Sequence, residues 1–111
     1  ISGVHHGLAN AIVLPVVMEF NRPVSTARLA RVAVAMGDTS NSREEVLAGN
    51  AIERVRKLNA TVGIPLRLRD AGVQEKDLVR ISEKAFVDAS HRGNPRPCTQ
   101  EDLLAMIRES F

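Results

Sequence analysis

Apolar residues recur at steps of three and four almost throughout this chain, and strict alternation is confined to Leu66-Arg67-Leu68-Arg69. Steps of three and four trace one face of a helix, whereas steps of two trace one face of a strand. The pattern therefore predicts an all-α molecule, a helical bundle of about five helices. The strongest segment runs from about Gly7 to Phe20, where Leu8, Ala11, Ile12, Val13, Leu14, Val16, Val17 and Met18 leave almost no polar face. A helix that is apolar all round has to be covered all round. Pro15 lacks a backbone N–H and is expected to kink this helix or to sit where its first turns meet the rest.

Local signals divide the remainder. Ser25 is a suitable N-cap for a second helix reaching Met36, with Leu29, Val32, Ala33 and Met36 inward, Arg28 and Arg31 outward and Gly37 as terminator. Asp38 to Asn41 is a polar loop. Ser42-Arg43-Glu44-Glu45 has the form of a capping box, which places a third helix from there to Gly63 and Pro65 with Val46, Ile52, Val55, Leu58 and Val62 as its inner stripe. Ile64 to Val73 is expected to be a packed connector in which Ile64, Leu66 and Leu68 insert among helices and Gly72 turns the chain. A fourth helix is expected over about 75–89. Two prolines and a glycine in His91 to Cys98 exclude a helix interior, and Thr99, with Asp102 three residues on, caps a last helix carrying Leu103, Leu104, Ile107 and Phe111.

Size and charge narrow the function classes. A chain of 111 residues is one domain at most, and at that size folding buries only about two-thirds of the unfolded surface. Fifteen Lys and Arg against thirteen Asp and Glu leave a formal charge of +2, with both signs interleaved along the chain. A nucleic-acid footprint would gather the basic residues on one stripe, so no nucleic-acid partner is expected. The apolar run from Ala11 to Phe20 contains Pro15 and Glu19 and falls short of the ~20 residues needed to span a bilayer, so no membrane partner is expected either. A single cysteine, Cys98, excludes an internal disulfide and fits a reducing compartment, the cytoplasm. The start, Ile1-Ser2-Gly3-Val4, has neither an initiator Met nor a secretory pattern, and the chain reads as a fragment that begins inside a larger protein.

Reactive groups concentrate at His5-His6-Gly7 and at His91 to Cys98. Taken alone, the adjacent histidines are loop residues before a helix. Neighbouring imidazoles point apart, a metal site needs three or four ligands, and the rest of the chain does not supply them at ligand-like spacing. Cys98 has no histidine partner nearby in sequence and reads as a packed loop thiol rather than a nucleophile. Arg96 is expected to pair with a local carboxylate or carbonyl.

The residues that follow the histidine pair add a resemblance. His6-Gly7-Leu8-Ala9-Asn10-Ala11-Ile12-Val13-Leu14-Pro15, with Glu19-Phe20-Asn21 after it, resembles the HGxANAxxxP segment of the iron-containing (group III) alcohol dehydrogenases. Ile64-Pro65, Leu68-Arg69-Asp70, Gly72-Val73 and Asp77-Leu78 resemble that family's connector, and Asn94-Pro95-Arg96-Pro97 before a capped helix resembles its ending. The three matches occur in the family's order and span nearly the whole chain. The resemblance implies the later part of an all-helical, metal-bearing C-terminal domain. It also implies that an N-terminal α/β nucleotide-binding domain and the start of the helical domain lie upstream, outside residues 1–111.

The implied activity is NAD(P)-dependent interconversion of primary alcohols or diols and their aldehydes or ketones, with a divalent metal, Fe²⁺ or Zn²⁺, and a homo-oligomeric parent. By position His6 is implied as one metal ligand, the other three lying upstream. The isolated chain is accordingly expected to be inactive. Gly7, Asn10 and His91 are implied near the pocket or behind the ligand, and His5 is treated as loop. Ser90 stands where many relatives have Cys, so no thiol role follows there. A rival reading is a free-standing helical interaction module in which Arg28, Arg31, Arg54 and Arg56 bind an acidic partner or nucleic acid.

Overall fold

The computed structural model describes the backbone of residues 6–87 and 94–111 and the side chains of residues 7–83 and 94–111. Its order is α1 (His6–Ala35), α2 (Glu44–Thr61), two short 3-10 turns at Leu68–Ala71 and Glu75–Asp77, α3 (Leu78–Val87) and α4 (Gln100–Glu109). No strand occurs among the described residues, as the periodicity predicts. Among the described residues the α-helices number four, because the first two expected helices run on as a single element of 30 residues.

Ser25 still marks the join. Its backbone is non-helical (φ −130°, ψ 21°), and α1 kinks there. The kink lies two residues beyond Pro23 rather than at Pro15, whose surroundings keep helical dihedrals. Proline at position i denies a donor to the carbonyl at i−4, and a helix passes through only if that carbonyl finds another partner. The Asn59 side chain supplies one for Ala11, four residues before Pro15, at 2.9 Å. Around the kink, Thr26 Oγ1 donates to the Arg22 carbonyl (2.8 Å) and Arg96 Nη1 donates to the Phe20 carbonyl (2.8 Å). The Ser25 hydroxyl is buried and finds no partner among the described residues.

α1 serves two apolar clusters, one on each side of its middle. Its first half contributes Ile12 to a cluster with Leu68, Val73, Leu78 and Ile107, against which Leu8, Ala9, Val13, Leu104 and Phe111 pack. Its second half contributes Ala30 and Ala33 to a cluster with Leu47 and Ala51 of α2. Small residues at the second contact let the two helices lie close. Gly49 goes further, since a Cβ there would stand 2.8 Å from Arg22 Nη2, which donates to the Glu45 carbonyl (2.9 Å).

Three expectations about α2 and the connector are corrected. Ser42 does not cap α2, because the helix begins at Glu44 with Arg43 as its N-cap and no capping side chain. The Ser42 hydroxyl is instead 2.8 Å from that of Ser40, whose own N–H donates to Asp38 Oδ1 (2.9 Å). The loop from Asp38 thus takes the serine away from the helix end. The inner stripe of α2 is Leu47, Ala48, Ala51 and Ile52, not Val46, Leu58 and Val62, which are exposed. The stripe is rotated so that the small, fully buried Ala48 and Ala51 face inward between Leu47 and Ile52. Leu66 is 74% exposed, whereas Leu68 is buried and Ile64 half-buried.

The terminators behave as expected. Gly37, Gly63 and Gly72 have φ of +101°, +84° and +95°. At the first two, the next residue's N–H reaches back to the helix, Asp38 to Ala33 (3.0 Å) and Ile64 to Asn59 (2.8 Å), the left-handed ending that glycine favours. Thr99 caps α4 as expected. Its side chain accepts from Asp102 N (3.1 Å), and Asp102 Oδ2 accepts from Thr99 N (3.0 Å). The fourth expected helix opens as the 3-10 turn Glu75–Asp77 before α3.

Candidate metal-ligand site at the start of α1

α1 begins at His6, with Gly7 exposed beside it and Asn10, also exposed, one turn further on. The sequence places His6 at the opening of the helix and the structure agrees. That position has a defined electrostatics. The unbonded N–H groups of a first helical turn present partial positive charge. No Asp or Glu lies in the first turn of α1 to reverse the effect. His5, Ser90 and His91 lie outside the described residues.

The first turns of α1 are held from two sides. On one, Leu8, Ala9, Ile12 and Val13 pack into the cluster built by Leu68, Val73, Leu78 and Ile107. On the other, Asn59 Nδ2 of α2 donates to the Ala11 carbonyl. Between α1, α2 and the connector lies an open cleft of about 200 Å³ lined by Ile12, Pro15, Val16, Asn59, Ala60 and Ile64 among others, with Arg56, Arg67 and Glu109 as its charged members.

Further along α1, the segment after position 93 is locked to the helix before its kink. Asn21 and Asn94 exchange side-chain hydrogen bonds of 2.9 and 2.7 Å, and Asn94 Nδ2 also donates to the Arg96 carbonyl (2.8 Å). Arg96 places its guanidinium 4.2 Å from the centre of the Phe20 ring while binding the Phe20 carbonyl. Its partner is thus a carbonyl, as expected, but one 76 residues away rather than local. Burial, with the nearby Asp102 charge second, pushes the Cys98 thiol above its ordinary range. It is protonated at neutral pH, in keeping with a packed loop thiol.

Among the described residues no three His, Cys, Asp or Glu gather in a way that could hold a metal. The donor chemistry fits a divalent ion only if this chain gives a single imidazole and the remaining ligands come from elsewhere. The arginines of the rival reading do not form one free surface. Arg54 Nη1 donates to the Met36 carbonyl (3.0 Å) and Arg56 pairs with Glu53, which leaves Arg28 and Arg31 exposed on α1. Nothing in the sequence marks Asn59, and Asn21 and Asn94 stand there only as members of separate family-like segments, not as a pair. Pro15 does signal that the Ala11 carbonyl needs a donor, but nothing local says that α2 provides it.

Comparison with known proteins meets this geometry. The profile of the Fe-containing alcohol dehydrogenase family, C-terminal, matches residues 2–111. The chain is 39% identical over 107 residues to lactaldehyde reductase of Escherichia coli K12, and 34% identical over 107 residues to 1,3-propanediol dehydrogenase of Citrobacter freundii. Each alignment takes in 96% of this chain and 28% of the relative. A crystal structure of a 1,3-propanediol oxidoreductase superposes on all of this chain with a TM-score of 0.93 at 32% identity, using 29% of that molecule. With an all-helical body whose first helix opens on His6-Gly7, this chain belongs to the Fe-containing alcohol dehydrogenase family. It corresponds to the family's C-terminal region and spans a little over a quarter of the length of the relatives it matches. No helix among the described residues is long and apolar enough to cross a membrane.

Proposed function

We propose that this chain is the C-terminal part of an NAD(P)-dependent, divalent-metal-dependent alcohol oxidoreductase, and that its share of the chemistry is one metal–imidazole bond made by His6. The observation that carries the proposal is the placement of His6 as the first residue of α1, directly before Gly7 and within the residues 2–111 that match the family profile. The further ligands and the nucleotide-binding domain are proposed to precede residue 1, and the parent is proposed to be a cytoplasmic homo-oligomer. The substrate class is a primary alcohol or diol, or the corresponding aldehyde or ketone.

When bound, the metal supplies Lewis-acid polarisation of the substrate oxygen and the nicotinamide carries the hydride. The work of this chain is to present a neutral imidazole in a fixed direction. A metal ligand must be deprotonated, so His6 would serve as a neutral imidazole. Gly7, with no side chain, leaves the approach to that imidazole open. The packing of Leu8, Ile12 and Val13 fixes the axis of the helix on which His6 rides. Asn10, one turn into α1, is the candidate for orienting the site from behind. His6 holds the ion and transfers no proton.

The experiment is His6→Ala in the full-length protein, with metal content and alcohol oxidation measured together. The expected result is loss of bound metal and of turnover; retention of both removes His6 from the site. The isolated 111-residue chain is expected to show no nicotinamide-linked alcohol oxidation.

A further inference from the structure

Pro15 lies inside α1 with helical backbone dihedrals around it, and the neighbouring helix supplies the donor it lacks. The Ala11 carbonyl, which a residue with an N–H at position 15 would serve, receives Asn59 Nδ2 at 2.9 Å instead. Asn59 is itself fixed in place. It is half-buried on α2, and its own carbonyl accepts the Ile64 N–H (2.8 Å) in the turn that ends α2 at Gly63. This hydrogen bond is therefore a strut between the last turn of α2 and the part of α1 that begins with His6. Ala11 is five residues from His6, with unbroken helix between them.

We propose that Asn59 is a positioning residue for the His6 ligand: by replacing the donor that Pro15 withholds, it sets the rotation and tilt of the first turns of α1 and hence the direction in which His6 offers its lone pair. The proposal rests on the reading of His6 as a metal ligand. Ligand directions tolerate errors of only about 10–20°, and a proline helix with an unserved carbonyl is free to bend by that much. A strut at Ala11 acts close enough to His6 to remove that freedom.

The test uses the full-length protein and titrates Zn²⁺ by competition with a chromophoric chelator, with the visible absorption of the Co²⁺-substituted protein as a report on ligand geometry. Asn59→Leu keeps the approximate volume and removes the donor. It is expected to raise the Zn²⁺ dissociation constant roughly tenfold, the low end for groups that orient a ligand, and to alter the Co²⁺ spectrum. Pro15→Ala restores a backbone donor to Ala11, so in that background Asn59→Leu is expected to change the constant less than about twofold. This reciprocal dependence is what a merely structural role for Asn59 would not give. Should Asn59→Leu fail to fold, Asn59→Ser, whose hydroxyl is too short to reach Ala11, is measured in the same pair of backgrounds.

An unchanged Zn²⁺ constant and Co²⁺ spectrum, or an equal loss in both backgrounds, overturns the proposal. His6→Ala separates the two levels of inference. Loss of Zn²⁺ in His6→Ala with no effect of Asn59→Leu sinks the strut alone, whereas undiminished binding in His6→Ala sinks the ligand reading and the strut with it.

Discussion

At the scale of single residues, a vacant Cβ position decides how α1 meets α2. Gly49 lets the Arg22 guanidinium reach across to the Glu45 carbonyl, and Arg22 adds only a long, half-exposed ion pair of 3.7 Å with Glu19. Two effects of similar size compete when Gly49 is replaced. Alanine in a helix interior gains about 1 kcal/mol over glycine, and displacing a hydrogen bond from a charged donor at an exposed site loses about the same. Gly49→Ala should therefore leave urea stability within about 0.5 kcal/mol of the parent, because the two cancel. In an Arg22→Ala background the opposing contribution is gone, and the same change should stabilise by about 1 kcal/mol. Equal effects in the two backgrounds would show that the close approach at Gly49 carries no coupling.

At the scale of elements, two serine or threonine boxes that look alike in the sequence behave differently. Thr99 and Asp102 form both reciprocal bonds and start α4, whereas Ser42 and Glu45 form neither. Thr99→Ala should cost about 1 kcal/mol on unfolding and Ser42→Ala clearly less, since only the first removes a cap; equal losses would contradict the assignment. The same contrast marks how far the sequence is legible. Helix content, the Gly37, Gly63 and Gly72 terminators and the join at Ser25 all follow from periodicity and local chemistry. The failures lie where distant contacts override local ones. Ser42 is taken by the Asp38 loop, α1 runs through Pro15 because Asn59 substitutes for the missing donor, and Arg96 reaches back to Phe20. The inner face of α2 is misread for a related reason. A run of Val and Leu looks like a core stripe, yet the contact with α1 requires the small Ala48 and Ala51. As for the candidate site, the proposed ligand His6 rests on a motif, and no motif points to the hydrogen bond that Asn59 sends from another helix.

At the scale of the whole molecule, the described residues extend 44 × 31 × 18 Å with a radius of gyration of 14.5 Å, against about 13 Å for a compact domain of this length. Two carboxylates are held by local hydrogen bonds, one in a turn and one at a helix start. Asp38, at the turn between α1 and α2, is held below its ordinary value of 3.8 by the Ser40 hydroxyl and N–H, then by Asn50. Asp102, at the head of α4, is held below it by the Thr99 N–H and hydroxyl. A carboxylate with a depressed folded pKa stabilises fully above its unfolded value and loses that contribution as pH falls through the folded one. Urea midpoints should thus be flat from neutrality to about pH 5 and then decline on further acidification. Asp38→Asn with Asp102→Asn should be less stable at neutral pH and show a shallower acid limb. An acid limb as steep as the parent's would place the titration elsewhere.

The shortest dimension also bears on chemistry. An α-helix with its side chains is about 10 Å across, so a body 18 Å deep holds two layers of helix among the described residues. Every helix keeps a flank toward the outside, which is why Leu14, Val24, Val34 and Val62 remain uncovered beside a well-packed seam. A body of this thickness can offer a reacting molecule a floor but not a ceiling. Under the proposed function, hydride transfer shielded from water would need a facing surface from beyond the described residues.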